Sequence, residues 1–178
     1  MNSIDFPFLG ETLTALPSGA LYWAGQGTLV VSDLHLGKSE RIARRSGMLL
    51  PPYDTLETLT RLSADIQATA PRCVICLGDS FDDLDAGAAL DQPHRDTIQR
   101  LQAGRRWLWL EGNHDPGPLD LGGEHLAVLD MGPLTFRHIA EAGAGPGEVS
   151  GHYHPKAKLR RISRPCFMAD AGRLILPA

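Results

Sequence analysis

Three short apolar segments, each followed at once by polar side chains, constrain the fold of this chain more than any other feature of its sequence. They are Thr28–Val31, Cys73–Leu77 and Arg106–Leu110. Short, uninterrupted apolar runs are typical of strands that are buried on both faces of a sheet. We therefore expect three central strands whose carboxyl ends all carry polar groups.

Helical patterns separate these strands. Between the first two, apolar residues recur at helical spacing with flanking prolines, at Leu56, Leu59, Leu62 and Ile66, with Pro52 near the start and Pro71 beyond the end. Between the second and the third, residues 93–102 form another helical pattern, with Gly104 as the stop. Strands that alternate with helices predict a parallel sheet.

The second half of the chain is richer in β-structure. Two hairpins are predicted there, one from Leu126–Leu129 with Leu134–Arg137 and one from Cys166–Ala169 with Arg173–Leu176. An α/β fold of two packed mixed sheets with helices outside fits this pattern better than a single doubly wound sheet. The length of 178 residues predicts a single domain over residues 1–178.

Composition excludes several classes of protein. There is no apolar run of about 18 residues, and the N-terminus lacks the basic and apolar regions of a secretory signal, so we expect a cytoplasmic protein. Three cysteines are too few for a disulfide framework. Cys73 and Cys76 point to opposite faces of a predicted strand, which favours buried structural thiols over a zinc or redox pair. Cys166 is also predicted to be buried.

Side chains that bind divalent metals gather after the predicted strands. Asp33 and His35 are two residues apart, as are His152 and His154. In an extended chain each pair would point to one side, and ligand-binding residues of α/β sheets collect at the carboxyl ends of strands. Aspartate oxygens and imidazole nitrogens without thiolates suit manganese, zinc or iron. Taken alone, each pair is a weak signal, because short motifs often occur without function.

Five motifs occur in one order along the chain: Asp33-x-His35, Gly78-Asp79-x-x-Asp82, Gly112-Asn113-His114-Asp115, the single His138, and Gly151-His152-x-His154. In this combination the sequence resembles the calcineurin-like metallophosphoesterase superfamily, over about two thirds of its length. The resemblance implies a four-layer αββα sandwich of two mixed β-sheets flanked by helices. It also implies a hydrolase of phosphate esters that binds two divalent metal ions.

The resemblance further implies a role for each matching residue. Asp33, His35 and His154 would bind the first metal ion, Asn113, His138 and His152 would bind the second, and Asp79 would bridge both together with a nucleophilic hydroxide. His114 would protonate or stabilise the leaving oxygen, with Asp115 orienting its ring. Asp82 is the expected hydrogen-bond partner of a metal-bound imidazole. His125 is the alternative to His138, and the three motif glycines would let the backbone turn tightly beneath the ligands.

A narrower resemblance covers nearly the whole chain. Segments 32–38, 77–81, 151–155 and 164–167 are similar to the bacterial Icc-like phosphoesterases, which include the PdeM-type, ligase-associated DNA damage response endonucleases. This similarity implies a manganese-dependent phosphodiesterase, with zinc or iron as alternatives, that acts on DNA in DNA repair with a repair ligase or helicase as partner. Relatives continue beyond Ala178, so either this chain is truncated or its last strand pairs differently.

Two basic segments stand out against a formal net charge of −4. The first contains Lys156, Lys158, Arg160, Arg161 and Arg164, and no acidic residue occurs between positions 151 and 165. It forms either a track for nucleic-acid phosphates or a solvated loop, and the resemblance favours the track. The second contains Lys38, Arg41, Arg44 and Arg45, which we interpret as the solvated face of a helix.

Three functions are compatible with these features. The sequence favours a phosphodiesterase acting on DNA or a related diester, because an acid at His114 would assist an alkoxide leaving group. A phosphomonoesterase or nucleotide phosphatase with the same metal centre is the alternative. A non-catalytic binding scaffold is disfavoured, because every expected ligand position is filled.

Overall fold

The computed structural model describes residues 3–39, 41–42, 53–118 and 120–178. Its first sheet contains seven strands in sequential order, namely β1 (Ile4–Phe8), β2 (Glu11–Ala15), β3 (Leu21–Trp23), β4 (Thr28–Val31), β5 (Cys73–Cys76), β6 (Arg106–Leu110) and β7 (Glu124–Leu126). The strands from β1 to β4 pair antiparallel, and those from β4 to β7 pair parallel. The three predicted central strands therefore lie side by side in the parallel half.

A second mixed sheet and a separate hairpin follow. The remaining strands are β8 (Val128–Met131), β9 (Leu134–Arg137), β10 (Glu148–Ser150), β11 (Lys156–Leu159), β12 (Ile162–Pro165), β13 (Met168–Ala169) and β14 (Arg173–Ile175). The second sheet has the order β13-β14-β10-β9-β8, with β10 parallel to both of its neighbours. Strands β11 and β12 pair only with each other among the described residues.

Three α-helices lie wholly within the described residues: α1 (Tyr53–Thr69), α2 (Leu84–Ala88) and α3 (Gln92–Gln102). Helices α1 and α3 confirm the two helical patterns of the sequence, although Pro52 lies outside the described residues. Leu56 was expected to face inward, but it is 53% exposed. Thr55 is buried instead, because Thr55 and not Leu56 continues the i, i+4, i+7 spacing that ends at Leu59 and Leu62.

Alternate residues of the parallel strands face two different cores. Leu29 and Val31 belong to a core shared with α1 and α3, whereas Val30 packs with Phe136 and Val149 of the second sheet. All helical side chains in these described cores lie on the first side, so the order of layers is helices, first sheet, second sheet. The predicted α/β fold of two packed mixed sheets is confirmed, and the described helices supply one of the two helical layers of the expected αββα sandwich.

The cysteines follow the same alternation. Cys73 and Cys76 are both buried and belong to opposite cores, as predicted. Burial raises the pKa of both thiols, which keeps them protonated and unreactive. Cys166 is only half-buried, so the prediction of a buried thiol was wrong for that residue.

The predicted hairpin over residues 126–137 is real, but its first strand was misplaced. Leu126 ends β7 in the first sheet, and Val128 begins β8 in the second, where Met131 pairs with Leu134. The apolar pattern is continuous across this crossing because Leu126 and Leu129 pack against the same core between the sheets. The hairpin of β13 with β14 is confirmed.

Among the described helices, none is long and apolar enough to span a membrane.

Candidate metal centre

Five loops that follow strands meet at one edge of the two sheets. They carry Asp33 and His35 after β4, Asp79 after β5, Asn113 and His114 after β6, His138 after β9, and His152 and His154 after β10. Backbone hydrogen bonds join the loops: Asp33 N donates to Gly78 O (3.3 Å), and His35 N donates to Asp79 O (2.9 Å). The predicted site residues are therefore brought together by the ends of neighbouring strands.

Two groups of side chains present ligand atoms that lie within 4.8 Å of one another. Asp33, His35 and His154 form the first group, and Asp79, His138 and His152 form the second. In the first, His154 Nε2 lies 3.1 Å from Asp33 Oδ1. In the second, His138 Nε2 lies 3.2 Å from Asp79 Oδ2 and 3.0 Å from the side-chain oxygen of Asn113. These groups match the two ligand sets that the resemblance implies.

A third group consists of His35, Asp82 and His114. Its carboxylate already has partners: Asp82 Oδ1 lies 3.3 Å from His35 Nδ1, and Asp82 Oδ2 accepts a hydrogen bond from Arg41 Nε. An arginine beside a carboxylate neutralises the charge that would attract a cation. Asp82 is therefore the carboxylate beside the ring of His35, as expected for a metal-binding imidazole, although no hydrogen bond joins the two side chains.

The first two groups suit divalent cations in charge and in atom type. Asp33 is 6% exposed and Asp79 is 3% exposed. Asp33 Oδ2 accepts from the Ser32 hydroxyl and from His152 N (3.0 Å), and Asp79 Oδ1 accepts from His114 N (2.9 Å). Buried carboxylates need a counter-charge, and oxygen and imidazole donors suit manganese, zinc or iron.

The pKa shifts of the site residues also favour cation binding by these two groups. Burial opposes ionisation of Asp79, but hydrogen bonds with the His138 ring and with His114 N hold the pKa of Asp79 at about 2, so it is a carboxylate at neutral pH. Burial lowers the pKa of His35 and keeps its ring neutral, and neutral imidazole is the form that binds metal. The pKa of His138 is raised, because the hydrogen bond and charge of Asp79 outweigh burial; a cation would compete with that proton.

The backbone of the site is not extended as expected. Asp33, His35, Asp79, His152 and His154 all have positive φ, between 45° and 66°. The pairs Asp33 with His35 and His152 with His154 converge through this left-handed conformation and not through strand alternation. Positive φ costs free energy in residues with a Cβ atom and is concentrated at functional sites.

Asp115 differs from its expected role, because it does not orient the ring of His114. Its carboxylate accepts hydrogen bonds from the backbone N–H groups of Asp79, Ser80, Phe81 and Gly112. Burial raises the pKa of this carboxyl to about 6 against the opposing effect of these donors. Asp115 therefore fixes the loop that carries Asp79.

The ring of His114 is oriented by a backbone group instead. His114 Nδ1 lies 2.8 Å from the carbonyl oxygen of Asp82, and because a carbonyl only accepts, Nδ1 carries the hydrogen. His114 Nε2 is left to face the site, 4.0 Å from Asp79 Oδ2.

Close approach of the loops explains the three motif glycines. Gly78 has φ +80°, and a Cβ atom there would also lie 2.7 Å from the His138 side chain. Gly112 and Gly151 do not adopt positive φ, so the expected tight turn is absent at these two. Glycine is required at both positions because a side chain would collide with a neighbouring loop. A Cβ atom at Gly112 would lie 2.1 Å from Asp79 N, and one at Gly151 would lie 1.7 Å from the Ser32 hydroxyl.

We expect Gly112→Ala to displace the loop that carries Asp79, because the obstructing atom is backbone and cannot rotate away. Such overpacking costs about 1–3 kcal/mol of unfolding free energy, and the shift should also weaken metal binding. Chemical denaturation and Mn²⁺ titration check both effects. Gly117→Ala is the matched control, because nothing lies within 4 Å of its added Cβ atom. Equal stability and metal affinity for the two variants would contradict the prediction.

The sequence interpretation missed one member of the site. Arg41 was placed on a solvated helix face, but it contacts the buried carboxylate of Asp82, and its side chain is 23% exposed. No sequence signal identifies a contact between residues so far apart. Arg44 and Arg45 lie outside the described residues. His125, the alternative to His138, stacks on Trp109 with ring centroids 6.5 Å apart and belongs to none of the three groups.

A cavity of about 370 Å³ opens beside the first group. It is lined by Asp33, His35 and His154 together with residues of α1 and the loops around it, among them Ser18, Lys38, Asp54, Arg61 and Asp65. The lining combines polar and apolar groups, and its two cations are accompanied by three aspartates, so the cavity gives a ligand access to the first group.

Comparison with known proteins identifies the family. A family model of the calcineurin-like phosphoesterases matches residues 28–175. Among solved structures, the chain is similar to the Pseudomonas putida nuclease MPE, with 26% sequence identity and a TM-score of 0.84 over 99% of this chain and 86% of that one. A search of curated proteins found no match. With two groups of candidate metal ligands at the ends of its strands and a family match over most of its length, the chain belongs to the calcineurin-like phosphoesterases and is a metal-dependent phosphoesterase.

Proposed function

We propose that this protein is a dinuclear phosphodiesterase that cleaves nucleic acid, with one divalent cation in each of the first two ligand groups. The observation that carries the proposal is the presence of two separate, adjacent groups of three ligands. Asp79 belongs to the second group, and its charge also acts on His35 of the first. That position supports Asp79 as the ligand shared by the two cations, and Asn113 as an additional ligand of the second.

Bound cations would supply Lewis acidity, by lowering the pKa of a water molecule and by neutralising charge on the phosphoryl group. The protein's own contribution is to hold the reacting groups in place. Asp82, which is paired with Arg41, lies beside His35, and Asp115 fixes the loop of Asp79. His114 Nε2 faces the same space and can hold a proton for the leaving oxygen, because Nδ1 is engaged with Asp82 O.

Nucleic acid is the preferred substrate for two reasons. The Pseudomonas putida relative is a nuclease and aligns with nearly the whole chain. An acid at His114 is most useful when the leaving group is a strongly basic alkoxide, as in a nucleic-acid diester. Manganese is the preferred metal, with zinc and iron as alternatives, and a role in DNA repair alongside a ligase or helicase follows from the sequence resemblance alone.

The protein is expected to hydrolyse bis-p-nitrophenyl phosphate faster than p-nitrophenyl phosphate when both are compared at equal Mn²⁺. The physical reason is that the cavity beside the first group leaves room for the second substituent of a diester. Release of p-nitrophenolate measures both rates, with metal-stripped protein as the control. Faster turnover of the monoester would favour the phosphomonoesterase alternative and contradict the proposal.

A further inference from the structure

The hairpin of β11 and β12 belongs to neither main sheet. All eight of its strand residues are exposed. An isolated two-stranded hairpin is only marginally stable in water, and this one adds nothing to either of the described hydrophobic cores. The hairpin is therefore a projection whose sequence is not set by the packing of the domain.

Its surface combines positive charge with exposed aliphatic side chains. It carries Lys156, Lys158, Arg160, Arg161 and Arg164, and among the described residues none of these cations has an acidic partner. At the end of the hairpin, Leu159 pairs with Ile162 across the two strands, and they are 73% and 54% exposed. Because paired residues of a hairpin share a face, Arg164 lies with Leu159 and Ile162 on one face, while Lys156 and Lys158 point to the other. Positive charge beside exposed apolar side chains indicates a binding surface on the face of Arg164.

The loop that joins the two strands is strained. Arg160 and Arg161 are its two residues, and Arg160 has φ +56°. Two-residue hairpin loops place glycine, asparagine or aspartate at positions of positive φ. An arginine at positive φ destabilises the folded state, so the requirements of the turn do not explain this residue. Its positive charge does.

The position of the hairpin next to the first ligand group indicates which kind of partner it binds. Strand β11 begins two residues after His154 of the first ligand group. At about 3.4 Å per residue its four residues extend about 14 Å from there. A nucleic-acid strand with one phosphate in the metal centre would therefore pass along the hairpin.

We propose that the β11–β12 hairpin binds the nucleic-acid strand next to the bond being cleaved. Arg164 and the two loop arginines contact backbone phosphates, and Leu159 and Ile162, on the same face as Arg164, pack against exposed bases. This inference rests on the proposed function, because it assumes a nucleic-acid substrate. It adds that recognition extends several nucleotides beyond the metal centre on the side of His154.

Binding of a single-stranded oligonucleotide of about 12 nucleotides tests the phosphate contacts, since comparable surfaces cover about 4–16. The hairpin variant is Arg161→Gln/Arg164→Gln, and the measurement is fluorescence anisotropy in EDTA at several salt concentrations. Loss of two phosphate contacts should reduce the slope of log K against log[salt] by about 1.4 and weaken binding at 0.1 M salt by about 25-fold.

The matched control is Arg100→Gln/Arg106→Gln, which removes two exposed cations from outside the hairpin. Arg100 lies in the last turn of α3, and Arg106 begins β6 at the end of the sheet opposite the ligands. The slope of this control should equal that of the wild type. Equal losses in the two variants, or no loss in the hairpin variant, would overturn the proposal.

Leu159→Ser/Ile162→Ser tests the base contacts separately. This variant should bind the oligonucleotide at least 10-fold more weakly with an unchanged salt slope, because no cation is removed. An unchanged affinity would remove the apolar part of the proposal. Vesicles containing phosphatidylserine test the other partner that a basic, apolar surface could fit: binding to vesicles that the hairpin substitutions abolish, with oligonucleotide binding intact, would overturn the proposal.

Measuring the hydrolysis of a small diester and of the oligonucleotide distinguishes failure of this inference from failure of the proposed function. Bis-p-nitrophenyl phosphate is too small to reach the hairpin, so the hairpin variant should retain its rate within about 2-fold while kcat/KM for the oligonucleotide falls with affinity. Absence of diester hydrolysis by the wild type would refute the proposed function, while the binding experiment in EDTA would still decide the hairpin.

Discussion

Replacing Asp79 with asparagine is expected to remove at least one bound cation per chain and to lower kcat/KM by more than about 100-fold. Changes to groups that merely support metal ligands cost about 10–100-fold, and Asp79 is proposed to bind both ions itself. The exchange is nearly isosteric. It preserves the oxygen that accepts from His114 N, so the loss is mainly that of a negative charge. With a pKa of about 2, Asp79 carries that charge throughout the neutral range.

Metal content after dialysis and titration calorimetry with Mn²⁺ measure the effect. Asp85→Asn is the control, because Asp85 is an exposed carboxylate six residues away on α2 and belongs to none of the ligand groups. Far-ultraviolet circular dichroism shows whether each variant is folded. Wild-type metal stoichiometry in a folded Asp79→Asn protein would contradict the assignment of Asp79 as the shared ligand.

The strands and the positions of the ligands could be predicted because both depend on the order of residues within short segments of the sequence. The three central strands are apolar runs that end where polar residues begin, and each was placed within one residue of its observed end. Parallel strands bring their carboxyl ends to one edge, so the gathering of Asp33, Asp79 and Asn113 follows from topology. His138 and His152 needed the order of motifs as well, since they follow strands of the second sheet.

The conformation of the ligand loops could not be predicted from the sequence. Alternation along a strand requires extended backbone, but Asp33 and His35 have positive φ. Their conformation is imposed from outside the segment, by hydrogen bonds from Asp33 N to Gly78 O and from His35 N to Asp79 O. A local pattern carries no information about donors and acceptors that lie more than 40 residues away.

The supporting contacts were assigned incorrectly for the same reason. The resemblance implied that Asp115 orients the ring of His114, but its carboxylate accepts hydrogen bonds from backbone donors after β5. Arg41 resembled a surface residue because only its contact with Asp82 distinguishes it from one. For both residues, the side-chain type indicated a charged contact, but the group that each one contacts depends on the fold.

His114→Ala is expected to retain both metal ions and to lose about 10²–10⁴-fold in kcat, which is the usual contribution of a general acid. The backbone N–H of residue 114 survives the substitution, so Asp79 keeps its hydrogen bond. The loss should depend on the leaving group. It should be large for a dinucleotide, which expels a strongly basic alkoxide, and small for bis-p-nitrophenyl phosphate, whose leaving group needs little protonation.

This dependence on the leaving group separates an acid from a metal ligand. His114 shares a ligand group with His35 and Asp82, so a role in binding metal would lower the metal content and slow both substrates equally. His94→Ala is the control, because His94 lies at the start of α3 and belongs to none of the ligand groups. Loss of a cation from His114→Ala, or equal losses with the two substrates, would reject the acid. Full metal content with selective loss of dinucleotide cleavage would mean that the proton at Nε2 reaches the departing oxygen.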